Sequence, residues 1–172
     1  MARGSNYICK FLEVIPFGGI PEFEYWPSIR VQWYFHHNEI DIDNLDIPAE
    51  DRIYLGDNEL FLSDIEQNIY IGHIRGKCKV LTIEEYDSTT NVTELTYFSR
   101  AMYLTKEKKL SPPFERWATL CSCRKPLNPN LLSIGCDRCN EWYHPKCEGL
   151  TDEMAQNIDD FICSKCKRGV MV

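Results

Sequence analysis

The sequence predicts a mostly β protein in two parts, and three observations carry that prediction. Short runs of alternating apolar and polar residues recur between Tyr7 and Leu104, with no helical period of comparable strength among them. Seven cysteines and one histidine then crowd into Cys121–Cys166 at spacings C-x1-C, x12, C-x2-C, x4, H-x2-C, x15 and C-x2-C. Between the two, Thr105–Glu115 is basic and then proline-rich, which reads as a connector stiffened by Pro112 and Pro113. The expected organisation is a barrel-like or sandwich domain of short strands over 6–104, a linker over 105–117 and a small second domain over 118–169.

The elements follow in order. Tyr7–Ile15 is apolar and β-branched enough for a strand, and Gly18, Gly19 and Pro21 break it. In Ser28–His36, Ile29, Val31, Trp33 and Phe35 fall on one face and Arg30, Gln32 and Tyr34 on the other, the pattern of a half-buried strand. Glu39–Asp51 is acidic, contains Pro48 and reads as a loop. Arg52–Leu55 and Glu59–Ser63 flank Gly56, Asp57 and Asn58 as the arms of a hairpin. Tyr70–Ile74 is a short extended piece, Gly76–Tyr86 alternates again, and Glu94–Leu104 makes the last strand. In the second part, Thr151 suits an N-cap and Asp152 and Glu153 complement a helix dipole, so one short helix is expected over Thr151–Ile158.

Composition decides how to read the cysteines. The N-terminus has no long apolar stretch of the secretory type, and no run in the chain is long and apolar enough to span a membrane. Seven cysteines interleaved with His144 therefore point to thiolate ligands of a metal rather than to disulfides. Four ligand pairs make two tetrahedral zinc sites. The interleaved spacing predicts a cross-brace, with Cys121, Cys123, His144 and Cys147 on one ion and Cys136, Cys139, Cys163 and Cys166 on the other. Both ions would be structural: no coordination position is left open for water activation, and a segment this short cannot fold on its apolar core alone. Cys9 and Cys78 remain, each in an apolar run that suggests a buried thiol.

The net charge of −7 is unevenly spread. Residues 1–104 hold 8 Lys and Arg against 17 Asp and Glu, and residues 105–172 hold 11 against 9. An acidic first part suits a basic partner and disfavours direct contact with DNA, leaving Lys106, Lys108 and Lys109 as a solvated linker cluster. No metalloprotease, P-loop or dinucleotide motif is present, and His36, His37 and His73 have no evident nucleophile or carboxylate partner, so no enzymatic activity is expected.

The C4-H-C3 order of ligands over 121–166, with Trp142 two residues before His144, resembles the PHD finger. The resemblance implies a finger that adds the N-terminus of histone H3 as a strand along Leu131–Cys136, near lysine 4 of H3. It places the histone-binding surface at Trp142, Asp137, Leu120, Leu127, Leu132, Ser133 and Ile134. Asp137 matches the acidic residue that pairs with an arginine of the tail, and Glu148–Leu150 matches the region that receives its N-terminal amine. Trp142 matches the wall of a methyl-lysine cage, where a quaternary ammonium over an indole gains about 0.5–2 kcal/mol. The lesser alternative is that Trp142 merely packs. Leu120, Leu127 and Ser133 stand where the family's cages usually carry further aromatic or methionine side chains.

Trp33-Tyr34-Phe35, Glu59–Asp64, Gly76–Thr82 and Tyr97–Tyr103 together resemble a BAH domain. The order BAH then PHD is similar to the plant short-life and early-bolting chromatin readers. That resemblance implies a second methyl-lysine cage at Tyr7, Trp33 and Phe35, with lysine 27 of H3 as its target. Trp33 and Phe35 also alternate onto what a strand would bury as its core face, and both readings stay open. BAH domains usually begin with a strand ahead of the segment matching Tyr7–Ile15, and little sequence precedes it here, so either the chain is cut short or the barrel lacks its first strand. The implied function is a nuclear chromatin reader working alone or in a larger complex. The competing readings are a RING-like ubiquitin ligase, and a first domain that binds proteins without regard to methylation.

Overall fold

The central strand of the first unit is the run whose alternation is clearest. In the computed structural model, which describes residues 7–16 and 27–169, strand β2 spans Ser28–His36. Residues 1–6, and the predicted break at Gly18, Gly19 and Pro21, lie outside the described residues. β1 (Ile8–Ile15) pairs with β2 antiparallel, with a bulge between Phe11 and Glu13. β3 (Leu60–Tyr70) pairs along the other edge of β2, also antiparallel.

The chain then leaves this sheet. β4 (Lys79–Leu81), helix α1 (Ile83–Asp87) and β5 (Thr96–Phe98) form a separate layer in which β4 and β5 run parallel. It returns as β6 (Met102–Leu104), parallel to β3, and β7 (Lys109–Ser111), antiparallel to β6. The result is a five-stranded sheet in the order β1-β2-β3-β6-β7. Among the described residues it stays open, with β1 and β7 as edges, and does not close into the expected barrel. Closure needs strands long enough to tilt and stagger against each other, and β6 and β7 have three residues each.

One face of this sheet is the core. Val31, Phe61 and Ser63 are fully buried, and Tyr103 and Leu110 nearly so. Ser63 pairs with Tyr103 and Tyr103 with Leu110, so these side chains share a face across three strands.

Several expected elements differ. Gly76–Tyr86 is not one strand, because Thr82 Oγ accepts the Glu85 N–H at 3.2 Å and the Glu85 carboxylate accepts the Thr82 N–H at 2.9 Å. This reciprocal capping box starts α1 and overrides the alternation. Glu94–Leu104 splits at Ser99, whose N–H donates to the Leu81 carbonyl at 2.9 Å. Arg52–Leu55 is no hairpin arm, since Ala49–Tyr54 winds as 3-10 helix behind Pro48. In the predicted connector, Lys109–Ser111 is strand β7, and Asp64 accepts bonds from the Thr105 N–H at 3.0 Å and hydroxyl at 2.7 Å. Cys78 is exposed and Cys9 half-buried, where two buried thiols were expected.

The layer of β4, α1 and β5 is locked by a buried ion pair. Glu59 is fully buried and meets Arg100 through two bonds, Nε to Oε1 at 2.7 Å and the second guanidinium nitrogen to Oε2 at 2.9 Å. The same guanidinium lies over the Phe98 ring, 5.7 Å from its centroid.

The second unit combines 115–169 with an upstream piece, Pro48–Asp57. Lys125 Nζ meets the buried Asp51 carboxylate at 2.6 Å. The buried Asn128 amide donates to the carbonyls of Ile53 at 2.8 Å and Leu55 at 3.3 Å, and Asn130 Oδ1 accepts the Asp57 N–H at 2.9 Å. β8 (Thr119–Leu120) pairs with β9 (Lys125–Pro126), and β10 (Ile134–Gly135) with β11 (Trp142–Tyr143). Thr151 caps α2 (Asp152–Asn157) as expected, and a second short helix, α3 (Ser164–Lys167), follows Cys163.

Removing one partner of a buried, bidentate pair leaves a charge without water or counterion. Glu59→Ala and Arg100→Ala should each lose about 3–5 kcal/mol of unfolding free energy of the first unit in urea titrations. An exposed pair such as Arg30–Glu13, broken in the same way, should change it by less than about 1 kcal/mol.

Candidate functional site

The eight predicted ligands gather in two groups, Cys121, Cys123, His144 and Cys147, and Cys136, Cys139, Cys163 and Cys166. Within each group the ligand atoms lie within 4.8 Å of one another. His144 Nδ1 is 3.4 Å from Cys123 Sγ and 3.9 Å from Cys147 Sγ, and the sulfurs of Cys139 and Cys163 are 3.9 Å apart. A tetrahedral zinc with Zn–S near 2.3 Å and Zn–N near 2.0 Å requires about 3.8 Å between sulfurs and about 3.5 Å from sulfur to nitrogen. The residues therefore fit two zinc ions, with His144 ligating through Nδ1.

Local backbone supports these sites. The Cys163 N–H donates to Cys136 Sγ at 3.3 Å and the Cys166 N–H to Cys163 Sγ at 3.4 Å. Burial pushes the Cys136 thiol up, but N–H donors from Cys163, Cys139 and Arg138 outweigh it and hold the group at about 6, in favour of the thiolate that zinc binds. Cys121, Arg124 and Asn140 adopt left-handed backbone, with φ of 76°, 57° and 58°, in the tight turns beside the ligands. The Tyr54 ring from the upstream piece packs against His144 with centroids 5.6 Å apart.

The metals meet a thin apolar core of Ile134, Tyr143 and Phe161, closed by the ligands Cys136, Cys163 and Cys166. Ile134, expected on the histone-binding surface, spends its side chain there and offers only its backbone edge. The expected strand Leu131–Cys136 is reduced to Ile134–Gly135. Leu132, Ser133, Leu120 and Leu127 are half-buried. Trp142 stands opposite Gly135 on the paired strand and is 52% exposed. A Cβ on Gly135 would lie 3.6 Å from the indole, so this glycine sits directly beneath the ring. Gly135 went unnoticed in the sequence because nothing there indicates which residue faces Trp142.

Two acidic residues of the expected tail site have internal duties. Asp137 is exposed, yet its Oδ2 accepts the Phe161 N–H at 2.6 Å. Glu148 Oε2 accepts both the Ser164 N–H at 2.7 Å and its hydroxyl at 2.6 Å. Gly149 follows in left-handed backbone at φ 75°, ending the turn Pro145–Glu148.

In the first unit, Tyr7 and Trp33 meet edge to face with centroids 6.4 Å apart. Trp33 Nε1 donates to Gln67 Oε1 at 2.9 Å, and Tyr7 is 73% exposed. Phe35 makes its edge-to-face contact with Tyr103, at 6.2 Å.

If this geometry is built on metal, the protein purified under reducing conditions should carry two zinc ions by elemental analysis. Cys163→Ala should lower the content to about one, and chelation should unfold the second unit, since structural zinc contributes roughly 10–16 kcal/mol in small fingers. Intact tertiary circular dichroism after complete chelation would contradict the assignment.

Comparison with known proteins agrees with the metal geometry. A PHD-finger family profile matches residues 121–166. Chromatin remodeling protein EBS of Arabidopsis thaliana is 39% identical over 140 residues, which is 81% of this chain and 56% of that protein. Chromatin remodeling protein SHL of the same plant is 34% identical over 139 residues, 81% of this chain and 57% of that protein. A nucleosome-remodeling factor subunit of Drosophila melanogaster is 40% identical over 48 residues, 28% of this chain and 2% of that protein. The chain thus spans somewhat over half the length of the two plant relatives. Residues 121–166 are a PHD finger, set in a chain that is similar over most of its length to the plant chromatin remodeling proteins EBS and SHL.

Proposed function

We propose that this chain is a nuclear chromatin reader without enzymatic activity. Its PHD finger takes the N-terminal tail of histone H3 near lysine 4. Its first unit, read as a BAH domain, holds a second methylated lysine, lysine 27 of H3 by resemblance. The observation that carries this reading is the exposed indole of Trp142, lying over Gly135 on a hairpin whose strand β10 pairs on one side with β11. An extended peptide can add as a strand along such an edge, with a lysine side chain reaching the ring. Asp137 stands exposed beside the same edge.

Leu120, Leu127 and Ser133 give the pocket one aromatic wall, so its preference for a methylated lysine is modest. In the first unit the Tyr7–Trp33 pair supports a cage, whereas the contact of Phe35 with Tyr103 favours a packing role for Phe35. That contact is also what supports the second reading, a first unit that binds protein without regard to methylation. A ubiquitin ligase is disfavoured by the PHD ligand order and by Trp142 at its position in the finger.

Calorimetric titration of H3 N-terminal peptides tests the finger. Trp142→Ala should weaken a peptide trimethylated at lysine 4 by roughly 2- to 30-fold, the range expected for an indole–ammonium contact. Trp33→Ala should weaken a lysine 27 peptide and leave the lysine 4 peptide unchanged. If no H3 peptide binds the wild-type chain, the reading is wrong.

A further inference from the structure

The first unit carries a groove that neither the zinc sites nor the aromatic pair uses. Its floor is a row of residues in register across four strands: Tyr34 pairs with Leu62, Leu62 with Met102, and Met102 with Ser111. Strand alternation puts Tyr34 on the opposite face of β2 from Trp33 and Phe35, so this floor is not the expected cage. The opposite wall is the end of β4 and the start of α1, Val80–Glu85. The space between is about 530 Å³, within the roughly 300–1,000 Å³ of small-ligand and side-chain pockets.

Its chemistry is one-sided. Tyr34, Leu62 and Met102 are half-buried and offer an apolar strip. Three charged residues line the groove: Glu84, Glu85 and Arg100. Arg100 is committed through two bonds to the buried Glu59, so its charge is compensated. The Glu85 carboxylate is fixed by the Thr82 N–H at 2.9 Å, and Glu84 is exposed beside it. An apolar strip faced by a wall that carries two exposed glutamates, one with its carboxylate held by a backbone N–H, complements an alkyl chain with a cationic end. The surrounding sequence is acidic, with 17 Asp and Glu against 8 Lys and Arg over residues 1–104.

We propose that this groove is a second peptide-binding site, which seats an unmodified lysine or arginine side chain of an extended basic partner segment. The alkyl stem lies along Tyr34, Leu62 and Met102, and the charged end meets Glu84 and Glu85. The site does not depend on the Trp142 and Trp33 assignments, and its test is separable from theirs.

Carbon-13 methyl spectra of the full chain read the groove directly through Leu62 and Met102. The probes are blocked alanine–lysine–alanine, alanine–arginine–alanine and alanine–norleucine–alanine tripeptides. The lysine or arginine peptide should shift both methyl signals saturably, and the norleucine peptide should not. The double variant E84Q/E85Q should weaken that binding by about fivefold or more. Glutamine at position 85 keeps the capping partner while removing its charge, so the fold is retained, and unchanged unfolding in urea checks this. Equal binding of norleucine, no binding of either cationic peptide, or shifts at the Trp33 indole in place of Leu62 and Met102 would each overturn the proposal.

Discussion

Two tetrahedral sets of sulfur and nitrogen ligands determine the second unit. The apolar cluster beside its ligands is Ile134, Tyr143 and Phe161 with the buried ligands themselves, far short of what a fragment of this size needs to fold on hydrophobic burial. With so little to bury, the fold of this unit is expected to depend on the metals. Trp142 lies between Cys139, a ligand of one site, and His144, a ligand of the other. Gly135 directly precedes the ligand Cys136. Ligands thus flank the hairpin β10–β11 in sequence, while Ile134 and Tyr143 pack its inner face into the core. In the proposed reading, an exposed tryptophan on so anchored a hairpin loses little conformational freedom when a cation lands on it.

Each unit is also secured by a buried acid. Asp51 meets Lys125 in the second unit, and Glu59 meets Arg100 in the first. The two acids lie eight positions apart in sequence, on either side of the point where the chain passes from one unit to the other. The upstream piece Pro48–Asp57 brings Tyr54 to the ligand His144 and satisfies the buried Asn128 amide. It is as much a part of the second unit as the segment that carries the cysteines. A finger cut at its ligand boundaries would lose both Asn128 hydrogen bonds, each worth about 0.5–1.5 kcal/mol net.

What the sequence made legible follows from how local each signal is. Ligand spacing is local and chemically restrictive, so the zinc pairing could be read directly. Ser28–His36 alternates without interruption and is a strand over that same span. Thr151 announced α2 through its capping side chain. The same kind of signal at Thr82 and Glu85 is masked by the alternating pattern around it, which has the form of a strand. The departure of Pro48–Asp57 depends on long-range partners such as Lys125 and Asn128, which no local pattern encodes. Site residues divide the same way. Trp142 is exposed, whereas Ile134 turns inward and Asp137 and Glu148 take on internal bonds, matters decided by packing.

If the finger reads the histone tail as proposed, metal coordination builds the surface that meets it. Calorimetric titration of an unmodified H3 N-terminal peptide into the zinc-loaded chain, the zinc-stripped chain and the stripped chain with zinc restored tests it most directly. The account predicts binding to the first, none to the second and recovery in the third. Equal binding with and without zinc, or no binding to the loaded chain, would contradict it.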